Sequence, residues 1–249
     1  RDYETNRYLF FATRRGRVKK TRFNEYDSSL KAGLIAIKLN DDDELVSVIP
    51  TNGDDDVLMV ARSGQTVRFH EGDVRAMGRS AAGVTGMRFR DGDRLLAMSV
   101  VQAGTEPDVF VVFENGLAKR TPIAEYRLQG RGGTGIQVAK LSDKGGELVG
   151  ALTVTAEDEV MVVMEKGKIV RSRVDELRQT GRNTMGVQFA KPDKGDAIVA
   201  VARNAEPEED EDVEEETEAA EAPATGDRNA SETERGVPSD EGSTHVEPV

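Results

Sequence analysis

The chain has 249 residues, with 34 Lys and Arg against 46 Asp and Glu, for a formal net charge of -12. That charge averages two unlike parts: residues 205–249 hold 17 Asp and Glu and two arginines, a net of -15, and the remaining residues hold 32 basic and 29 acidic side chains, about +3. The absence of cysteine excludes disulfides and Cys-ligated zinc or iron–sulfur sites and fits a cytoplasmic protein. Only His70 and His245 are available for imidazole chemistry, so no metal site is expected, and no apolar run reaches the roughly 18 residues of a membrane span.

In chain order, residues 1–204 form one expected domain built from a repeat. Four segments each place an apolar run, a glycine turn and a second strand-like run in succession: Tyr8 to Phe23, Val57 to Phe69, Val109 to Thr121 and Val160 to Arg173. The turn glycines Gly16, Gly64, Gly116 and Gly167 are spaced by 48, 52 and 51 residues. A second glycine opens a run ending at an aspartate in every unit: Gly33 to Asp41, Gly83 to Asp91, Gly135 to Asp143 and Gly186 to Asp193. Each unit closes on a further apolar run, so it reads as about four short strands. Runs such as Val57-Leu58-Met59-Val60 are continuous, as expected for strands covered on both faces. Units of about 50 residues match propeller blades, and the expected fold is all-β, a propeller-like array of four-stranded blades at about 8–51, 56–102, 108–155 and 159–204. Residues 205–249 contain no Leu, Ile, Met, Phe, Tyr or Trp and are expected to be a disordered acidic tail.

Two series of cations keep step with the repeat. Four residues after each turn glycine come Lys20, Arg68, Arg120 and Arg171, and five after each second glycine come Lys38, Arg88, Lys140 and Lys191. Three units carry a Gly-Arg pair before the second glycine, ending in Arg79, Arg131 and Arg182; Lys119 and Lys168 are basic neighbours. In a radial array these residues would make rings of positive charge along a rim, suited to the evenly spaced phosphates of duplex DNA. The competing reading is that edge-strand Lys and Arg block aggregation. In the third unit the loop expands to Gln129, Gly130, Arg131, Gly132, Gly133, Thr134 and Gly135, whose glycines allow the backbone to approach a phosphate or simply form a loop.

This loop resembles the Gln-Arg-Arg-Gly-Gly-Lys-Gly box of the gyrase A C-terminal domain family, with Gly130 and Thr134 replacing two of the pattern's cations. Stretches such as FENGLAKRTPIAEY resemble that family's blades, and the resemblance covers residues 8 to about 204. It implies a β-pinwheel whose neighbouring blades exchange strands, and the wrapping of duplex DNA around a basic rim for ATP-dependent supercoiling by a type II topoisomerase. The implied partners are duplex DNA, the gyrase B subunit and the N-terminal part of the gyrase A subunit in an A2B2 heterotetramer, with ATP and Mg bound elsewhere and a nucleoid-associated, cytoplasmic location. The resemblance places the full box and the cleaving tyrosine N-terminal to this chain, which begins with Arg and reads as a piece of something longer. Alternatives are the topoisomerase IV accessory domain and a protein-binding propeller scaffold. No catalytic residue is assigned, because no nucleophile–His–acid set, P-loop or metal spacing is present. The tail is either a tethered competitor for DNA or a solubilising appendage.

Overall fold

The computed structural model describes residues 4–27, 32–90 and 92–204. The chain divides into two units, Arg1–Glu206 and Pro207–Val249. The second unit, and with it the expected disordered tail, lies outside the described residues.

Each repeat begins with a tight hairpin, made possible by its turn glycine. Gly16, Gly64, Gly116 and Gly167 adopt φ between 77° and 92°, where a side chain would be strained. Each donates its N–H to the carbonyl three residues earlier, at 2.9 Å in all four units. The hairpins are β1 (Tyr8–Thr13) with β2 (Arg17–Arg22), β4 (Asp56–Ala61) with β5 (Gln65–His70), β8 (Asp108–Phe113) with β9 (Leu117–Pro122), and β12 (Glu159–Met164) with β13 (Ile169–Arg173). A 3-10 turn follows each, at Phe23–Tyr26, Glu71–Asp73, Ile123–Glu125 and Val174–Glu176. On the other side of each first strand lies an inner strand: β3 (Leu45–Thr51), β7 (Leu95–Val101), β11 (Leu148–Val154) and β15 (Ile198–Asn204). Successive inner strands pack on one another, and all four line one cleft of about 830 Å³.

The all-β, four-blade propeller-like expectation holds, and the second, third and fourth units each supply four strands, one of which joins the preceding unit's sheet in the strand exchange that the resemblance implied. Every unit supplies three strands of its own sheet, and in the first three sheets the fourth strand comes from the next unit. The two-residue strands β6 (Val84–Thr85), β10 (Ile136–Gln137) and β14 (Val187–Gln188) pair with β2, β5 and β9 respectively. Among the described residues the fourth sheet has three strands, β13-β12-β15. The run from Gly33 in the first unit forms no strand.

Side-chain alternation explains the core. On β4, Val57, Met59 and Ala61 enter the layer shared with the first sheet, whereas Leu58 and Val60 enter the layer shared with the third. On β8, Val109, Val111 and Phe113 face the second sheet and Phe110 and Val112 the fourth. Such a strand has no polar face, which is why its sequence is a continuous apolar run. At the last sheet β12 buries only Val160, Val162 and Met164 fully, and alternation reappears.

Candidate nucleic-acid interface

The repeated cations fall into three groups once each is followed to its partners. The series four residues after the turn glycine is not an exposed ring; three of its four members staple one unit to the next. The Lys20 ammonium lies 2.9 Å from the Glu71 carbonyl and 3.4 Å from the Glu71 carboxylate, which is fully buried and also accepts from Thr51 Oγ1 and the N–H groups of Gly53 and Asp55. Arg68 pairs with Asp56 at 2.7 Å and donates to the carbonyls of Ile123 and Tyr126 at 3.2 and 3.3 Å. Arg120 pairs with Asp108 at 3.2 Å and donates to the Leu177 carbonyl; Gln179 satisfies the rest of Asp108. Arg171, whose unit has no successor here, is exposed and pairs with Glu159. The expectation of a solvent-facing ring at these positions is therefore corrected: Lys20, Arg68 and Arg120 spend their charge inside the protein. A sequence signal for this existed, since Asp56, Asp108 and Glu159 each stand twelve residues before their arginine.

Lys119 belongs to the same group. Its ammonium donates to the carbonyls of Gly181 and Arg182 at 2.8 and 2.6 Å, and only 1% of the residue is exposed. Burial pushes it down to about 8, against the opposing pull of Glu125. Lys19 repeats the arrangement one junction earlier, on the carbonyls of Ala36 and Arg79, and is likewise pushed down to about 8 by burial.

The arginines of the Gly-Arg pairs form a second group, partly exposed braces across each junction. Arg79 donates to the Ile35 carbonyl at 3.1 Å, Arg131 to Thr85 at 3.0 Å, and Arg182 to Gln137 at 2.7 Å. Each acceptor is the second residue after the preceding unit's second glycine. Arg131 adds a bond to the Asp73 carbonyl at 3.0 Å. The Gln129–Gly135 loop is thus moored to the second unit, with Gly132 N–H donating to Gly86 and Gly133 carbonyl accepting from Arg88 N–H. Gly130 and Gly133 are open to solvent approach, Thr134 is exposed, and Gly135, at φ 84°, lies where a Cβ would overlap the Thr66 carbonyl.

The third group is free. Lys38, Arg88, Lys140 and Lys191 are all exposed, and none has a side-chain hydrogen bond or ion pair among the described residues. The N–H groups of Lys38, Arg88 and Lys140 donate to Ala81, Gly133 and Thr184, so each of the three lies against the next unit's junction loop. Lys168 is exposed but paired with Asp193 at 3.3 Å. A further free series escaped the sequence reading: Arg75, Arg127 and Arg178 directly follow the residues that close their 3-10 turns, are exposed, and have no side-chain partner among the described residues. Their spacings of 52 and 51 residues match the glycines; the first unit has Asp27 there, which hid the pattern. These seven cations can meet anionic oxygen without first breaking an internal pair.

Comparison with known proteins agrees with this geometry. A family model described as DNA gyrase C-terminal domain, beta-propeller matches residues 7–52, 55–102, 108–155 and 158–204, one match per blade. The chain is 48% identical over 213 residues to the DNA gyrase A subunit of Streptomyces coelicolor and 43% identical over 208 residues to that of Mycobacterium bovis; each match covers 83% of this chain and 25% of the relative. The chain therefore spans about a quarter of the length of the curated relatives it matches. Among solved structures, the C-terminal domain of DNA topoisomerase IV superposes with a TM-score of 0.75 at 26% identity, over 81% of this chain and 63% of that one. The DNA gyrase A C-terminal domain superposes with a TM-score of 0.70 at 30% identity, over 80% and 67%. With a family match in every blade and the strand-exchanged sheets that accompany it, this chain belongs to the DNA gyrase A C-terminal domain family.

Proposed function

We propose that this chain binds duplex DNA through the free cations of its junctions and wraps it, as the DNA-wrapping part of the A protein of a gyrase. The observation that carries the reading is the recurrence of unpaired, exposed cations at one position in consecutive units: Lys38, Arg88, Lys140 and Lys191, joined by Arg75, Arg127 and Arg178. Such cations release condensed counterions from DNA on binding, whereas a lysine or arginine already paired inside the protein has little to offer. No feature of these junctions presents a base-reading element, so binding is sequence-tolerant and rests on phosphate contacts and DNA deformability. Arg79, Arg131 and Arg182 keep unused guanidinium donors at the same junctions and extend the track. In the whole enzyme, the gyrase B subunit would turn over ATP with Mg, the N-terminal part of the gyrase A subunit would cut DNA, and the A2B2 assembly would introduce negative supercoils. The setting would be the cytoplasmic nucleoid; among the described residues no helix is long and apolar enough to cross a membrane.

The test is a salt series of binding to random duplex. Changing Lys38, Arg88, Lys140 and Lys191 together to Ala should weaken binding uniformly across sequences and lower the salt slope by about three to four, roughly one per lost phosphate contact. An unchanged slope would remove these residues from the interface. The likeness to the topoisomerase IV domain supports a second reading, an accessory DNA-binding module without chiral wrapping. The linking number of nicked circles ligated in the presence of the protein separates the two: a positive shift supports gyrase-type wrapping, and binding without a shift supports the accessory role.

A further inference from the structure

The brace arginines Arg79 and Arg182 are gripped through their main chains as well as through their guanidinium groups. At the junction of the third and fourth units the Arg182 N–H donates to the Glu125 carboxylate at 2.7 Å, and the Arg182 carbonyl accepts from the Lys119 ammonium at 2.6 Å. The Arg182 guanidinium meanwhile donates to the Gln137 carbonyl at 2.7 Å. The junction of the first and second units repeats the arrangement: the Arg79 N–H donates to Glu25 at 3.2 Å, its carbonyl accepts from Lys19, and its guanidinium donates to the Ile35 carbonyl at 3.1 Å. All three holds come from the preceding unit. Each carboxylate lies over the glycine before the arginine, 3.7 Å from where a Cβ on Gly181 would stand and 4.0 Å from one on Gly78.

The middle junction is built differently. Glu25 and Glu125 stand nine residues after their turn glycines, and Lys19 and Lys119 three after; in the second unit those positions are Asp73 and Val67. Asp73 is one methylene shorter than glutamate, and among the described residues its carboxylate accepts no hydrogen bond. Arg131 is held instead through its guanidinium, on the carbonyls of Asp73 and Thr85, and a Cβ on Gly130 would meet nothing within 4 Å. The same position of the 3-10 turn therefore carries an acid that holds an arginine's N–H at two junctions and an acid that does not at the third.

Glu25 and Glu125 are exposed, and an exposed carboxylate beside a polyanion ordinarily opposes binding by like-charge repulsion. We propose that these two glutamates do the reverse: they are positioning residues that fix Arg79 and Arg182 so that the guanidinium donors left free meet a DNA phosphate. The inference rests on duplex binding at the junctions, as proposed above. One guanidinium nitrogen of each arginine is spent on the preceding unit, and the others have no partner among the described residues. Because the N–H and the carbonyl are both held before DNA arrives, less ordering is left to be done on binding. The planar fork of the guanidinium then presents its remaining donors in one direction.

The experiment measures binding of the 249-residue chain to random duplex across a salt series, with thermal unfolding confirming that each variant is folded. Glu125→Ala should weaken binding and lower the salt slope by up to about one, the loss of one phosphate contact, although it removes a negative charge. Glu125→Gln removes the same charge but keeps an acceptor for the Arg182 N–H, and should bind at least as tightly as the parent. Asp73→Ala, at the junction where the acid holds no N–H, should do the same. In an Arg182→Ala background, Glu125→Ala should no longer weaken binding. Parental or tighter binding by Glu125→Ala overturns the proposal. So does an equal loss from Glu125→Gln or Asp73→Ala, or a loss from Glu125→Ala that persists without Arg182. A parent chain that binds no duplex removes the DNA-binding reading itself, and this inference with it.

Discussion

Lys119 and Arg88 are both cations on repeat positions, yet their chemistry differs because one is enclosed and the other is not. Burial pushes Lys119 down to about 8, whereas in the unfolded chain a lysine titrates near about 10.4. Between those values the unfolded chain holds a proton the folded chain lacks, so this group's contribution to stability rises with pH across that window. Lys119→Met removes the titration, and the Tm of the parent minus that of the variant should rise from pH 7.5 to 9.5; a constant difference would contradict the assignment. The buried Tyr126 hydroxyl, pushed up mainly by burial, acts in the opposite sense only above about pH 10. Arg120 and Arg88 make a second contrast. Arg120→Met leaves the buried Asp108 carboxylate with only Gln179 as partner and should cost about 3 kcal/mol or more in urea unfolding. Arg88→Met loses no internal partner and should stay within about 0.5 kcal/mol, while lowering DNA affinity.

At the scale of the element, the junction is the unit of construction, and its glycines are required by different neighbours. Gly186 combines φ 87° with a Cβ direction that runs into the Ala118 carbonyl, so Gly186→Ala must push β14 away from β9. Gly33 has nearly the same φ but open space, and Gly33→Ala carries only the left-handed backbone cost of about 1–2 kcal/mol. Urea unfolding should therefore rank Gly186→Ala as clearly more destabilising; equal losses would mean that the close approach of the strands is unimportant. The repeated glycines were legible in the sequence because a positive φ is a local demand that only glycine meets easily. The exchange of strands was not legible from local pattern, since a two-residue strand such as Val84–Thr85 carries no periodicity that says which sheet it joins. The family resemblance supplied it.

For the molecule as a whole, on the proposed function the staples and the free cations would divide the work of binding a curved duplex. The staples hold successive blades together, and through them would set the curvature of any path along the junctions; on the same proposal the free cations would hold the phosphates. Arg131 sits on the boundary, donating to Asp73 and Thr85 while remaining exposed. On the proposed function Arg131→Ala should reduce the linking-number shift more than it reduces duplex affinity, and a proportional loss of both would make Arg131 an ordinary phosphate contact. The sequence by itself determined the repeat, the hairpins, the all-β class and the positions of the cations, because turn conformation and strand patterning are set within about ten residues. Only the tertiary structure decided which cations face solvent. Arg68 and Arg88 look alike along the chain, but their surroundings are built by residues more than forty positions away, and burial, pairing and the cost of desolvating a charge depend on those neighbours.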